Sequence, residues 1–366
     1  MCAIAGLLSP DPPDALRAWA ARMGDALAHR GPDDSGVFVD ADAGLALAHR
    51  RLAVLDLSAH GHQPMVSACG RYVLVFNGEV YNFAALRHEL EGLGEHFAGG
   101  GDSEVLLAAL ARWGVAGALP RLNGMYAFAL WDRQARRLTL ARDRLGKKPL
   151  FYGYVGGRFV FASQLFALRT LPGWRTDLDP TALRRYLHYG FVPAPYSLVR
   201  GILKLPPGCW LELDPAAPAG DLPAPRRYWS CVDAMQSGLA DPVAGPDAAL
   251  EELDALLADA VGTRLASDVP LGAFLSGGVD SSLVVALMQR QMSQPARTFS
   301  LGFDDPARDE TPFAAAVARH LGTDHTEIVV TEAALLASVP QLPTVFDEPL
   351  ADLAQVSNLL VAQHAR

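Results

Sequence analysis

Two short segments carry residues able to do chemistry. The first is the start of the chain, where Cys2 follows Met1. Cysteine is small enough for an initiator methionine to be removed, which would leave one residue bearing both a thiol and a free α-amine. The amine titrates at about 7.7–8.0 and a thiol at about 8.5, so the amine can accept the thiol proton near neutral pH. A terminal cysteine is thus a nucleophile with its own base. The competing reading is a small side chain buried in a first strand. The second segment is Leu275-Ser276-Gly277-Gly278-Val279-Asp280-Ser281-Ser282. Placed between a strand and a helix, its glycines let backbone N–H groups converge, and the helix start adds partial positive charge. That makes a cradle for phosphate oxygens without a lysine. No G-x-x-x-x-G-K-S/T occurs, so this is not the loop of γ-phosphate-cleaving enzymes. An ordinary glycine turn is the alternative.

The elements around these segments differ between the two ends. Over the first 170 residues or so, short strand patterns alternate with a few helices. Tyr72-Val73-Leu74-Val75-Phe76 reads as a strand that stops at a turn, Asn77-Gly78. Asn82 can cap a helix through about Glu91, and Asp102-Ser103 can cap one over 104–113. Further strands are expected over 128–131, 138–142 and 159–162. Many strands with few helices predict an α+β layered domain. Prolines then crowd over 205–246, as a surface connection would. After it come a helix (247–265), a strand (271–275), a helix (282–291), a strand (297–303), a helix (310–321) and a strand (325–330). This alternation predicts a doubly wound α/β sheet.

The chain has 366 residues, enough for two domains, and is 50% hydrophobic, enough for a sizeable core. Its net charge of −9 and lack of basic blocks disfavour nucleic acid or an anionic membrane as partner. No apolar run approaches the roughly 18 residues of a membrane span, and the apolar start lacks the basic region of a signal peptide. Cys2, Cys69, Cys209 and Cys231 show no C-x-x-C spacing, so neither a zinc site nor a disulfide framework is expected. A reduced, cytoplasmic protein fits.

Five motifs occur in order: Met1-Cys2-Ala3-Ile4-Ala5-Gly6, His29-Arg30-Gly31-Pro32-Asp33, His49-Arg50-Arg51-Leu52, Asn77-Gly78-Glu79-Val80-Tyr81-Asn82 and Asp102-Ser103-Glu104. Together they resemble the glutaminase domain of class II amidotransferases, an N-terminal-nucleophile fold. The run from Ala141-Arg142-Asp143-Arg144 through Leu145-Gly146-Lys147-Lys148-Pro149-Leu150 resembles the asparagine synthetase B branch. The resemblance implies that Cys2 attacks the glutamine amide, with the Asn77 side chain and Gly78 N–H as oxyanion hole and Glu79 in the same glutamine site. An Asn-Gly corner ending a strand suits this, because glycine admits close approach and asparagine offers a donor. Arg51 would clamp the glutamine α-carboxylate in a bidentate pairing lysine could not copy, and Asp102 would bind the α-ammonium. Taken singly, these residues also read as a hairpin turn, a solvated strand charge and a helix N-cap. The His29–Asp33 motif is expected to shape the pocket, and His49 to be structural, since the amine already supplies the base.

The S-G-G-x-D-S pattern likewise resembles the PP-loop of ATP pyrophosphatases, which form an acyl-adenylate and release pyrophosphate. This implies that Ser276, Gly277, Gly278, Asp280, Ser281 and Ser282 line the pyrophosphate pocket, with Asp280 near Mg²⁺. Leu275 and Leu301 would flank the adenine of ATP. Asp309-Glu310 and Asp347-Glu348-Pro349 also match family segments, although an acidic helix start explains the first equally well.

The expectation is therefore an α+β N-terminal-nucleophile glutaminase domain in αββα layers over 2–213, a proline-rich linker over 214–246, and a partial α/β doubly wound PP-loop domain over 247–366. Its reaction would be glutamine-hydrolysing asparagine synthesis: ammonia released at Cys2, aspartate adenylated by ATP, AMP displaced to give asparagine. Two alternatives stand: amidation of another carboxylate acceptor, such as a surface-polysaccharide sugar, or a non-catalytic remnant. A homodimer is what the family suggests. In that family a segment like 347–352 leads through a helix into a further strand and an S-G-x-G-x-D-E loop, whereas this sequence stops at His364-Ala365-Arg366. A fragment, truncated product or split enzyme is expected, with glutaminase activity only and a tail over 356–362 short of sheet to pack on. Gln164 and Phe166 stand where the family commonly has glutamate and lysine, a departure that bears on coupling between the two sites.

Overall fold

A computed structural model describes residues 2–216, 220–304, 309–352 and 354–365. Met1, Pro218 of the proline-rich stretch and Arg366 lie outside them. The chain divides into two compact units, Met1–Asp241 and Pro242–Arg366.

In the first unit the order is β1 (Ala3–Leu8), α1 (Pro13–Asp25), β2 (Asp34–Asp40), β3 (Leu45–Arg51), β4 (Met65–Val66), β5 (Tyr72–Val80), α2 (Phe83–Gly92), α3 (Asp102–Ala118), β6 (Gly124–Asp132) and β7 (Arg137–Arg142). There follow β8 (Phe151–Val155), β9 (Arg158–Ala162), α4 (Leu165–Leu168), α5 (Pro180–Tyr189), β10 (Ile202–Lys204), β11 (Cys209–Leu213), β12 (Arg226–Arg227) and α6 (Cys231–Ala240). Among the described residues they build two six-stranded sheets, β10-β8-β9-β1-β3-β2 and β12-β11-β7-β6-β5-β4. Period-two alternation explains the layers. On β1, Ala3, Ala5 and Leu7 pack against Leu16, Ala20 and Met23 of α1, while Ile4 and Leu8 turn inward. On β5, Val73 and Val75 meet Ile4 and Leu47 between the sheets, while Leu74 and Phe76 pack on α2 and α3. The result is the expected αββα sandwich.

Three local expectations need correction. Asn77-Gly78 is not a corner: β5 runs through it, pairing Asn77 with Ala127 and Gly78 with Tyr126. Gly78 is needed for close approach, because a Cβ there would overlap the Met125 carbonyl and crowd Tyr126. Asn82 does precede α2, but its side chain bonds Arg121 O (2.9 Å) and Asn123 N (2.9 Å) instead of capping the helix. Nor is the stretch 214–246 simply a linker. Within it β12 pairs with Cys209 and Trp210 of β11, and Tyr228 Oη donates to Arg142 O at 2.9 Å. These contacts carry the first unit to Asp241.

The second unit runs α7 (Pro246–Gly262), β13 (Gly272–Phe274), α8 (Val279–Gln291), β14 (Arg297–Phe303), α9 (Thr311–Leu321), β15 (Asp324–Val330), α10 (Glu332–Ser338), α11 (Leu342–Val345) and α12 (Ala354–Ala365). Strands β13, β14 and β15 lie side by side and parallel, joined through α8 and α9, as the alternation predicts. The tail is better packed than expected, since Leu360 and Val361 of α12 are buried against Ile328 and Val330. Among the described residues no helix is long and apolar enough to cross a membrane.

Trp131 tests the sandwich. It is fully buried between the sheets, and its indole N–H donates to Asp40 Oδ2 at 3.0 Å, joining β6 to β2. Trp131→Ala should cost about 3–5 kcal/mol in the unfolding of the first unit, read as a lowered urea midpoint. An unchanged midpoint would contradict this shared core.

Candidate active site

Strand β1 lies inside its sheet between β3 and β9, so the residue preceding it is delivered to a fixed place. Cys2 is half-buried there. Its Sγ accepts from Leu52 N at 3.4 Å and lies 3.6 Å from Leu52 O, just past the end of β3. Arg30 Nε donates to Cys2 O at 3.2 Å, so the His29–Asp33 motif braces the residue directly. Burial holds the thiol above its usual range and Asp102 adds to the rise, while the Leu52 hydrogen bond and Lys148 oppose them.

Asn77 lies at the end of the inter-sheet row and is completely buried. Its Nδ2 is 3.5 Å from Ser163 Oγ, which accepts from Ile4 N at 3.0 Å, and its Oδ1 has no partner among the described residues. The direction of the Gly78 N–H follows from register. Tyr126, opposite Gly78, spends its N–H on Asp143 Oδ2 (3.1 Å) and its carbonyl on Asp143 N (2.8 Å). Gly78 and Tyr126 are therefore a non-hydrogen-bonded pair, and the Gly78 N–H points away from β6. Its neighbours of the same parity agree: Phe76 N donates to Gln63 Oε1 (2.6 Å) and Val80 N to Asp102 Oδ2 (2.8 Å). His49 sits behind this edge, 1% exposed, with burial lowering its pKa to about 4. It is neutral at pH 7, and since a carbonyl only accepts, Nε2 carries the proton donated to Phe76 O at 3.0 Å.

Asp102 opens α3, but Gly101 holds the capping position without a side-chain bond, so the expected N-cap is replaced by the cross-chain bond to Val80. Burial pushes its carboxyl up to about 6, with the Glu79 charge adding and the Val80 N–H opposing. Arg51 also departs from expectation. Its Nη2 donates to the carbonyls of Leu55 (3.3 Å) and Asp56, and its Nη1 to Ser58 O (3.0 Å), so most of the guanidinium fork holds the 52–58 loop. Asp56 in turn accepts from Gly100 N (2.9 Å), and Glu104 from Ala98 N (2.9 Å) and Gly99 N (2.8 Å), tying two loops together.

Cys2, Arg51, Asn77, Gly78, Glu79 and Asp102 thus line a single cavity, and Lys148 lines it with them. The residue reading missed Lys148, Arg30 as a brace, and Ser163. The first two stood in recognised motifs, but a charge in a loop reads as solvated until its burial is seen. Gln164, also buried, accepts from His29 Nε2 at 2.8 Å, again fixing the motif that carries Arg30.

In the second unit α8 starts at Val279, three residues earlier than expected, so Asp280, Ser281 and Ser282 form its first turn. Gly277 has φ +80°, and a Cβ there would lie 2.6 Å from Ala314 N of α9, so the loop is both left-handed and pressed on a second helix. Ser281 Oγ bridges Ser276 N (3.2 Å) and Ser276 Oγ (2.9 Å), closing the loop on itself. Ser282 Oγ is buried without a partner among the described residues. Leu275 and Leu301 line one crevice with Ser276 and Glu310, at the carboxyl ends of β13 and β14, the usual ligand side of such a sheet. Asp280 is exposed, and no group of three His, Cys, Asp or Glu gathers into a metal site among the described residues. Asp309 Oδ1 accepts from Thr311 N (3.0 Å) and Oγ1 (2.7 Å), shaping the start of α9.

Residues 1–229 match the family described as glutamine amidotransferase domain, and 252–366 match asparagine synthase. A Mycobacterium tuberculosis protein named "putative asparagine synthetase, glutamine-hydrolyzing" is 39% identical over 100% of this chain and 56% of its own length. One so named from Methanocaldococcus jannaschii is 32% identical over 100% of this chain and 72% of its own length. The chain belongs to the glutamine-hydrolysing asparagine synthetase family. The Escherichia coli asparagine synthetase B is 33% identical over 90% of this chain and 54% of its own length. The chain spans about half the length of most of these synthetases. Among solved structures, the Bacillus subtilis glutamine phosphoribosylpyrophosphate amidotransferase complexed with ADP and GMP is 15% identical, with a TM-score of 0.48 over 90% of this chain and 91% of that one.

The raised carboxyl of Asp102 makes stability depend on pH in a definite sense. Asp102 binds its proton more tightly folded (about 6) than its ordinary value of 3.8. It therefore favours folding most below that ordinary value, and the contribution is lost as pH rises through about 6. Asp102→Asn, which keeps an acceptor for Val80, should stabilise this synthetase-family chain on the order of 3 kcal/mol above that range and scarcely change it in acid. Thermal melts across the two ranges check this; a difference independent of pH would contradict it.

Proposed function

We propose that this protein makes asparagine from aspartate with glutamine as nitrogen donor, beginning with glutamine hydrolysis at Cys2. The observation that carries the reading is the meeting of Cys2, Asn77, Gly78 and Asp102 in one largely buried cavity. With Met1 removed, the α-amine accepts the thiol proton as Sγ attacks the glutamine δ-carbon. The developing oxyanion is met by the Gly78 N–H, directed to that edge by strand register, and by Asn77. The partnerless end of the Asn77 amide and its Nδ2 are related by a half-turn of the amide, so the donor can face the cavity. The proton returns to the leaving ammonia, and water then opens the thioester to give glutamate.

Asp102 and Glu79 supply negative charge for the substrate's α-ammonium. Arg51 contributes chiefly by holding the loop around the site, with Nε and one Nη1 hydrogen left for a carboxylate. In the second unit the Ser276–Ser282 loop would seat the pyrophosphate of MgATP, Leu275 and Leu301 would border its adenine, and Asp280 would approach the magnesium. The left-handed Gly277, where a Cβ would collide with the start of α9, holds the loop in this shape and supports this seat. The same reading places the protein in the cytoplasm, as a homodimer.

The test is release of glutamate and ammonia from glutamine by the purified protein, with a diazo-oxo-norleucine adduct on Cys2 and Met1 absent. Cys2→Ala should abolish turnover, and Asn77→Ala should lower kcat about 10²–10³-fold. Retained turnover in Cys2→Ala would sink the reading. For the second unit, Gly277→Ala should weaken MgATP binding about tenfold or more in calorimetric titration; unchanged affinity would remove the loop from the ATP site.

A further inference from the structure

Lys148 is 3% exposed and lines the Cys2 cavity, yet no step of the hydrolysis above uses it. A buried ammonium is expensive unless carboxylates compensate it. Its position is firmly held. Its N–H donates to Asp143 Oδ2 at 3.0 Å and its carbonyl accepts from Arg142 Nε at 2.7 Å. Asp143, itself 1% exposed, also accepts from the N–H groups of Leu145 (3.1 Å), Lys147 (2.9 Å) and Tyr126 (3.1 Å). Tyr126 is the register partner of Gly78, so the loop bearing Lys148 is fixed to the strand pair that forms the oxyanion edge.

Most other charges around the cavity are already engaged. Arg51 serves the 52–58 carbonyls and Arg30 the Cys2 carbonyl. Asp56 and Glu104 accept backbone N–H groups over 98–100. His60 is exposed, where solvent screens it. Besides burial and the Leu52 hydrogen bond, the charges that act on the sulfur are the amino terminus, Asp102 and Lys148. Asp102 raises the thiol and Lys148 lowers it, while burial lowers Lys148 itself and Glu79 opposes that loss.

We propose that Lys148 is a positioning residue for the nucleophile: its ammonium, held by the Asp143-clamped loop, offsets Asp102 and increases the share of Cys2 present as thiolate. This rests on Cys2 being the nucleophile, but its test does not need turnover. The rate of Cys2 carbamidomethylation by iodoacetamide, read on the Cys2 peptide by mass spectrometry, reports the thiolate fraction across pH. Lys148→Met should move the midpoint up by about one pH unit, so that alkylation near neutrality slows about tenfold. Lys148→Arg should restore the native profile, and Asp102→Asn should move the midpoint down. A Lys148→Met profile superposable on the native one, even with slower glutamine turnover, would overturn the proposal and leave Lys148 a structural prop. Should Lys148→Met fail to fold, Lys148→Gln takes its place, and a profile superposable on the native one, or a Lys148→Arg profile displaced upward, overturns it. A chain that alkylates as expected but never hydrolyses glutamine would sink the proposed function alone.

Discussion

Strand β4 is two residues long and pairs only with Val73 and Leu74, so the rest of the β5 edge must find partners outside the sheet. Buried N–H and C=O groups cannot be left unmatched without a cost of about 1–3 kcal/mol each. Gln63 meets the Phe76 N–H, neutral His49 the Phe76 carbonyl, and Asp102 the Val80 N–H. Between them lies Gly78, facing the cavity. A sheet edge that stops early thus becomes a row of oriented donors, and the Cys2 cavity is built along it.

The second constraint is electrostatic. The same edge draws Asp102 into the interior, where its charge raises the thiol and is itself raised by Glu79. A carboxylate beside the Cys2 thiol disfavours its thiolate. Cations on rigid supports restore the balance, and the lever is the Asp143 carboxylate, which gathers four backbone N–H groups and fixes the loop carrying Lys148. Arg51 shows the opposite use of a buried cation. Its donors go to carbonyls, so it shapes a loop more than it offers a clamp.

Much of the architecture was legible beforehand because its signals are local. Short strand-like runs marked β6, β7 and β9, and the strand–helix alternation after residue 247 marked the parallel sheet nearly to the residue at β14. The ordered motifs named the cavity residues, and the fold does bring Cys2, Arg51, Asn77, Gly78, Glu79 and Asp102 together. The misreadings share a cause. Asn77-Gly78 resembled a turn, and Asp102 and Asn82 caps, because each judgement used neighbours in sequence. Their real partners lie 22 to 41 residues away, or across a sheet.

The sequence by itself determined which groups are available: a cysteine at the second position, an asparagine beside a glycine, a glycine loop ahead of a helix, and alternations that make two kinds of sheet. Those follow from covalent chemistry and from periods of two and 3.6. Only the tertiary structure decided which backbone N–H groups face the cavity, which arginine is spent on a loop, and which lysine is buried. Those outcomes depend on register and burial, set by partners far along the chain, and no local pattern encodes them.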